Sequence, residues 1–341
     1  MLRYIIKRLL IMIPVIFCVA VLIFTILYFT PGDPAVMALG TSASVEELEA
    51  FREYAGLNDP YIVRLGEFLY NLFIKWDLGQ SWIYKTNVSA EIANRLPITA
   101  GIAFYTVVIS TLLGVPLGVI AAVHQDGIAD KIVLVLSSVL RCIPNFWVGL
   151  MLIVAFALNL RWLPAYGITE GFRSYILPCI TIMVGSFAWT ARQMRSSMLE
   201  VIRSDYVTAA RAQGFSKFSV HYLHALPNAL IPVITILGSQ FGMNLGGTII
   251  IETIFSIPGM GSYIQGGIAS RDLPIVTGSV VFLAILFCLV MLVVDILYAF
   301  VDPRIRARYE RQSARKGKIG KGDRPEKGRG HHNRGKERAA V

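Results

Sequence analysis

The feature that most constrains this chain is a series of six apolar stretches, at residues 9–30, 99–123, 132–158, 176–191, 229–250 and 277–301. Several approach twenty residues without a full charge, the length at which an α-helix spans a bilayer. Hydrocarbon offers the backbone no hydrogen bonds, so runs this long must satisfy their amides internally, as helices. The expected fold class is therefore an all-α polytopic membrane protein with six transmembrane helices. Composition agrees: 55% of residues are hydrophobic and 16% charged, whereas a soluble domain usually carries about 25% charge. A soluble globular enzyme and a disordered protein are both excluded. The first stretch follows Arg3, Lys7 and Arg8 as a signal peptide would, but its length favours a retained helix.

The formal charge of +10 is not spread evenly. Residues 302–341 hold 14 Lys+Arg against 5 Asp+Glu, a net of +9, which leaves +1 for the rest. This Lys/Arg/Gly-rich segment has too few large apolar residues to bury and reads as a disordered basic tail. Beside a membrane it is a topology signal and a surface for anionic lipid, not a nucleic-acid site. The short flanks 1–8, 124–131 and 192–226 carry 9 Lys+Arg, while 159–175 and 251–276 carry 3. The positive-inside rule then places both termini in the cytoplasm.

Residues 31–98 form an extracytoplasmic region with 5 Lys+Arg and 9 Asp+Glu. Pro31-Gly32-Asp33-Pro34 breaks the first helix. Residues 44–55 read as a short acidic helix with Ser44 as cap and Glu47 in the capping-box position. Aromatic residues from Tyr61 to Tyr84 suit an interfacial helix or a docking surface for a soluble partner. The membrane-spanning core occupies 99–301.

No catalytic or cofactor site is legible. Gly317 to Gly322 lacks the closing Lys-Ser/Thr of a phosphate-binding loop. His221 and His224 stand one helical turn apart without a third metal ligand. Cys18, Cys142, Cys179 and Cys288 lie in apolar runs and read as small buried hydrophobes. The expectation is a chain that binds no metal or cofactor and is not itself an enzyme.

Two ionisable residues fall inside apolar runs, Arg141 and Asp295. A charge at such depth costs about 2.5–3.5 kcal/mol on insertion scales, so it must face a polar cavity or a partner. Arg141 either reads an anionic group on a translocation path or makes a structural pair. Asn145, four residues on, is grouped with it as a path candidate. Asp295 is expected to pack against neighbouring helices or a basic flank. A proton-driven transporter would carry more buried carboxylates than these.

The segment 192–232 is too patterned for a linker. Residues 205–212 are helix formers with Asp205 as cap, and Gly214 ends that helix. A second turn, 216–225, starts at Ser216 and stops near Pro227. Val207, Ala210, Gly214 and Phe218 fall at helical spacing and make one small apolar face. Such a face can seat in a groove of another protein or pack on its own bundle.

This segment resembles the EAA loop of ABC-importer permeases. Thr208-Ala209-Ala210 precedes Gly214, and Leu226-Pro227 closes the pattern. Thr208 stands where the pattern has Glu, and His224 where it has Ile. Both departures resemble the dipeptide/oligopeptide branch. That branch is echoed in Pro31-Gly32-Asp33-Pro34, Asp77-Leu78-Gly79-Gln80-Ser81 and Arg195-Ser196-Ser197-Met198-Leu199-Glu200. It is echoed again in the run from Glu252 to Gly261, in Arg271-Asp272-Leu273-Pro274 and in Asp302-Pro303-Arg304.

The resemblance implies a type I importer permease in the cytoplasmic membrane of a prokaryote. Its partners would be a second, similar permease, two ABC ATPase subunits holding ATP-Mg, an extracytoplasmic solute-binding protein and the lipid bilayer. Asp205, Tyr206, Thr208, Ala209, Ala210, Arg211, Gly214, Phe215, Phe218, Leu226 and Pro227 would couple to the ATPases. Glu252, Pro258, Gly259, Arg271 and Asp272 would belong to an extracytoplasmic gate at 252–274. Peptides are the implied cargo, with nickel chelates or other small solutes as the alternative. An ion-gradient-driven secondary transporter is the rival class.

Overall fold

Apolar runs with few interruptions fold into long helices, and these organise the chain. The computed structural model describes residues 2–301. The basic segment 302–341, expected above to be disordered, lies outside the described residues. One compact unit covers Met1–Tyr298; of the second, Ala299–Val341, only 299–301 are described.

The helices are α1 (Leu2–Phe29), α2 (Pro34–Leu39), α3 (Val45–Tyr54), α4 (Tyr61–Phe73), α5 (Val88–Val123), α6 (Ile128–Cys142) and α7 (Asn145–Leu152). They continue as α8 (Arg173–Ile202), α9 (Asp205–Ala212), α10 (Leu226–Gly247), α11 (Ile249–Ile254), α12 (Met260–Ser270) and α13 (Leu273–Val301). Two π-helical turns, Ile153–Asn159 and Ser219–Ala225, extend α7 and precede α10. No strand occurs among the described residues beyond an isolated bridge between Gln80 and Asn87. Five helices are long and apolar enough to cross a membrane, or six if the bent α6–α7 pair counts as one span.

α5 and α8 run side by side in the same direction at the centre. A Cβ on Gly118 would lie 2.5 Å from the Ala191 carbonyl oxygen, so the backbones meet where only glycine fits. α6 and α10 flank α8. At one end, Met194, Met198, Val207, Val220, Ala225 and Ala229 bury together beneath α9. We call this the hairpin end. At the opposite end, Ile102, Leu177, Phe255 and Ile257 form one apolar cluster, and Val88, Met260 and Ile275 another.

Several expectations need correction. The third apolar run is not one helix: it breaks between Cys142 and Asn145, and its halves are bent by 91°. Pro144 has no amide to donate to the preceding turn and pushes Ile143 into extended backbone. Asp205 is not the cap of α9. Ser204 takes that position in extended backbone, and Asp205 lies in the first turn. The turn expected to stop near Pro227 instead runs through Ser219–Ala225 into α10, where Pro227 sits in the first α-helical turn. Cys18 and Cys142 are exposed on the outside of the bundle, whereas Cys179 is buried.

The 31–98 region has the expected capping box: the Glu47 amide donates to Ser44 Oγ (3.2 Å) and the Ser44 amide to Glu47 Oε2 (2.8 Å). Its aromatic run packs along α1. Phe68 stacks on Phe24 at 5.2 Å, and Tyr61 meets Tyr28 edge-on at 5.0 Å. Asp295 pairs with Arg8 at 3.0 Å, tying α13 to the start of α1.

Candidate functional site

The residues singled out by sequence fall into three groups at different heights of the bundle. The first is the hairpin joining α8 to α10. Its base is apolar and inward: Val207 is fully buried and Ala210 8% exposed. The face expected to seat in another protein therefore splits, with Val207 and Ala210 packed on the chain's own α8 and α10. Gly214, in left-handed backbone at φ +85°, turns the chain back. What faces outward is Tyr206, Thr208, Ala209, Arg211, Phe215 and Phe218, the last 68% exposed. These groups are held in place. Phe215 packs on the His224 ring at 4.9 Å, Phe218 stacks on Tyr222 at 4.6 Å, and Asn228 Nδ2 donates to the Tyr206 hydroxyl at 2.8 Å. Leu226 is half-buried against the core beneath, and Pro227 is exposed. A firm base under an exposed aromatic rim suits a rigid knob.

Just before the hairpin, α8 is strapped to α6. Arg195 donates to both carboxylate oxygens of Asp130, one at 2.6 Å, and the Asp126 amide donates to Asp130 Oδ2 at 2.9 Å. Asp130 is 1% exposed. Nothing in the sequence patterns flagged this pair. An acidic residue in the first turn of α6 reads as an ordinary helix-dipole charge.

The second group lies at the opposite end, where Glu252 on α11 is fully buried. Thr99 Oγ1 and Thr248 Oγ1 donate to its Oε1 at 2.7 and 2.9 Å, and the Ser262 amide donates to Oε2 at 2.9 Å. Thr99 Oγ1 in turn accepts the Met260 amide at 2.8 Å. The Pro258-Gly259 turn wraps this carboxylate so closely that a Cβ on Gly259 would lie 2.5 Å from Glu252 Cδ. The carboxylate thereby joins α5, α11 and α12. Sequence reasoning found Glu252 and Gly259 but missed Thr99, whose only signal is a hydroxyl in an apolar helix.

Arg271 and Asp272 are not part of that cluster. Asp272 is fully buried and accepts from Ser81 Oγ (2.6 Å) and the Ile83 amide (3.1 Å), anchoring the 77–86 loop to the start of α13. Arg271 takes left-handed backbone, φ +55°, and its guanidinium lies against Gly32. It lines a cavity of about 780 Å³ with Asp33, Arg52 and Arg64. Arg52 donates to Asp33 and holds its carboxyl below the usual carboxylate range, assisted by the Ala35 amide and opposed by partial burial.

The third group is the break in the third apolar run. Arg141 lies in the last turn of α6 and Asn145 begins α7; both side chains are exposed. The Arg141 guanidinium lies over the Trp189 ring at 5.8 Å. Both residues line a cavity of about 250 Å³ with Ser186, Trp189, Gln240 and Asn244.

Comparison with known proteins places this architecture. Residues 114–307 match the family described as binding-protein-dependent transport system inner membrane component, and residues 1–103 match its N-terminal region. A Brucella abortus (strain 2308) protein, named for a peptide transport system as a permease, is 39% identical over 309 residues, covering 89% of this chain and 98% of its own length. The glutathione transport system permease GsiC of Escherichia coli (strain K12) is 36% identical over 306 residues, covering 90% and 99%. A solved structure of the methionine ABC transporter MetNI, in an inward-facing conformation, superposes with a TM-score of 0.52 at 19% identity. It covers 62% of this chain and 96% of that one, a likeness of fold. On these matches, which span both regions of the chain, it belongs to the family of binding-protein-dependent transport system inner membrane components.

Proposed function

We propose that this chain is the permease that carries peptides through an ATP-driven importer, working with a second, similar permease. The single observation that carries the coupling is the hairpin: an aromatic rim of Tyr206, Phe215 and Phe218 on a fully packed base. Exposed aromatics held rigid on one small knob are what a protein partner grips. In this reading the hairpin end is cytoplasmic, and two ATPase subunits holding ATP-Mg dock there against Asp205, Tyr206, Thr208, Ala209, Arg211 and Phe218. Ala210, Gly214, Leu226 and Pro227 shape the knob. Both termini then lie in the cytoplasm. A solute-binding protein delivers cargo at the opposite end, where Glu252, Pro258, Gly259, Arg271 and Asp272 hold the gate. Peptide cargo is the reading favoured by the two relatives above.

The test is Ala209→Glu, which adds a charge on the exposed face of α9 without altering a special backbone position. Purification in mild detergent should yield a folded mutant that no longer brings down the ATPases and no longer drives uptake. Normal ATP-driven peptide uptake by this mutant would refute the coupling role.

A further inference from the structure

The cavity at the α6–α7 break contains polar groups that the chain itself leaves unmatched. Gln240 is 3% exposed; its Nε2 donates to Thr190 Oγ1 at 3.3 Å, while its Oε1 is buried without a partner. Asn244 Nδ2, one helical turn further along α10, is also buried without a partner. Arg141 forms none of the ion pairs among the described residues. Buried polar groups are normally satisfied, so each orphan needs an explanation.

Depth sharpens the point. Arg141 lies thirteen residues from the start of α6, Trp189 thirteen from the end of α8, and Gln240 fourteen from the start of α10. All three counts begin at the hairpin end, and at 1.5 Å per residue each corresponds to roughly 20 Å. Three helices thus deliver these side chains to one level of the bundle, and Arg141 stands nine residues, roughly 13 Å, into the apolar run that begins at residue 132. An unpaired guanidinium at that level must face water or a bound group, not lipid. The Trp189 ring holds it in place through a cation–π contact.

The chemistry is that of a chain terminus. Arg141 and Asn244 Nδ2 supply donors for a carboxylate, and Gln240 Oε1 supplies an acceptor for an amide N–H. A cavity of about 250 Å³ admits an end group and not a whole larger ligand. We propose that Arg141, Asn244 and Gln240 form a subsite on the translocation path that binds the free C-terminal carboxylate of the transported peptide. This rests on the peptide-permease reading and adds a selectivity to it.

The test uses the whole transporter with its binding protein in proteoliposomes. The probes are alanine peptides of two to five residues, each as free acid and as C-terminal amide. The quantity read is the ratio of initial uptake rates, acid to amide, so that the binding protein's own preference cancels between variants. Arg141→Gln should lower this ratio by about tenfold or more, the value of one hydrogen bond to a charged group. Arg141→Lys should keep most of it. Asn244→Asp, which supplies Arg141 with an internal carboxylate, should lower it as Arg141→Gln does. A ratio within about threefold of wild type in Arg141→Gln overturns the subsite. So does an equal loss of acid and amide uptake accompanied by loss of the second permease on purification, because Arg141 would then pair across that interface. If the wild-type transporter accumulates neither form, the peptide reading itself fails, and the subsite with it.

Discussion

Replacing Glu252 by Leu should be among the most damaging single changes in the chain, although it exchanges a carboxylate for an apolar group of similar size in an apolar setting. Three donors now end on this carboxylate: two threonine hydroxyls and the Ser262 amide. The site is fully buried, so water cannot replace them. An orphaned buried donor costs about 1–3 kcal/mol. The Thr248 hydroxyl can rotate toward its own helix, and removing the carboxylate relieves its desolvation, which together offset part of the sum. The Ser262 amide is fixed, and Thr99 is held by the Met260 amide it accepts. The net loss should be at least about 3 kcal/mol. Glu252→Gln keeps one oxygen for the two hydroxyls and turns only its amide against the Ser262 N–H, so it should lose about 1–3 kcal/mol. A reversible unfolding titration in mixed detergent–SDS micelles measures both. The reasoning is refuted if Glu252→Leu lies within about 1 kcal/mol of wild type, or if Gln is as damaging as Leu.

Three further outcomes follow from the same geometry. Gly259→Ala should cost about 1–3 kcal/mol in the same titration, because its Cβ would meet Glu252 Cδ at 2.5 Å, while Gly266→Ala, with nothing within 4 Å, should not destabilise. Asp130→Ala leaves the Arg195 guanidinium half-buried and unpaired and should cost about 3 kcal/mol, whereas the double change Asp130→Leu with Arg195→Met should recover much of it. The Arg52–Asp33 pair should loosen on acidification. The folded pKa of Asp33 is depressed, so its contribution is complete above the ordinary carboxylate range and is lost as pH falls through the depressed value. Hydrogen exchange of the α2–α3 amides should therefore accelerate at low pH in wild type and do so less, beyond the intrinsic rate, in Asp33→Asn, where the Arg52–Glu49 pair remains.

The long helices were legible because lipid leaves a chain so few options, and the sequence expectation of six apolar runs corresponds to five continuous helices and one broken one. The break was missed because Ile143-Pro144 interrupts an apolar run without changing its hydropathy. A Pro inside a long helix can also be tolerated, as Pro97 and Pro116 are in α5. The direction of the apolar face of α9 stayed open for a related reason. Periodicity put Val207 and Ala210 on one apolar face but could not say whether that face looked to its own bundle or outward. Neither could it reveal Asp130–Arg195 or Thr99–Glu252, pairs separated by 65 and 153 residues. Such pairs are set by which helices become neighbours. That property belongs to the assembled bundle and leaves no local pattern.

The same neighbour relations explain how a force on the hairpin could reach the far end of the chain. Ser219–Gly247 is one continuous helical span of 29 residues, π-helical up to Ala225 and α-helical beyond, roughly 44 Å long at about 1.5 Å per residue. Its lower end carries the hairpin through Asn228 and Tyr206. Its upper end stops at Thr248, one turn before the carboxylate of Glu252 to which Thr248 donates. A continuous helix transmits displacement along its axis, so movement of its lower end is expected at Thr248 as translation or tilt. The Glu252 hydrogen bonds to α5 and α12 then either follow the movement or break. Each is dry and therefore costly to leave unmade, which favours following or breaking over gradual stretching. The central α5–α8 pair, pressed together at Gly118, is the frame against which the rod moves. Softening the rod should therefore uncouple the ends without disturbing either one. A Gly-Gly pair at Ile234 and Thr235, midway along α10, should leave ATPase co-purification and the stability of the Glu252 cluster near wild type while uptake per ATP hydrolysed falls several-fold. Uptake that stays fully coupled in that variant would mean the signal travels by another route.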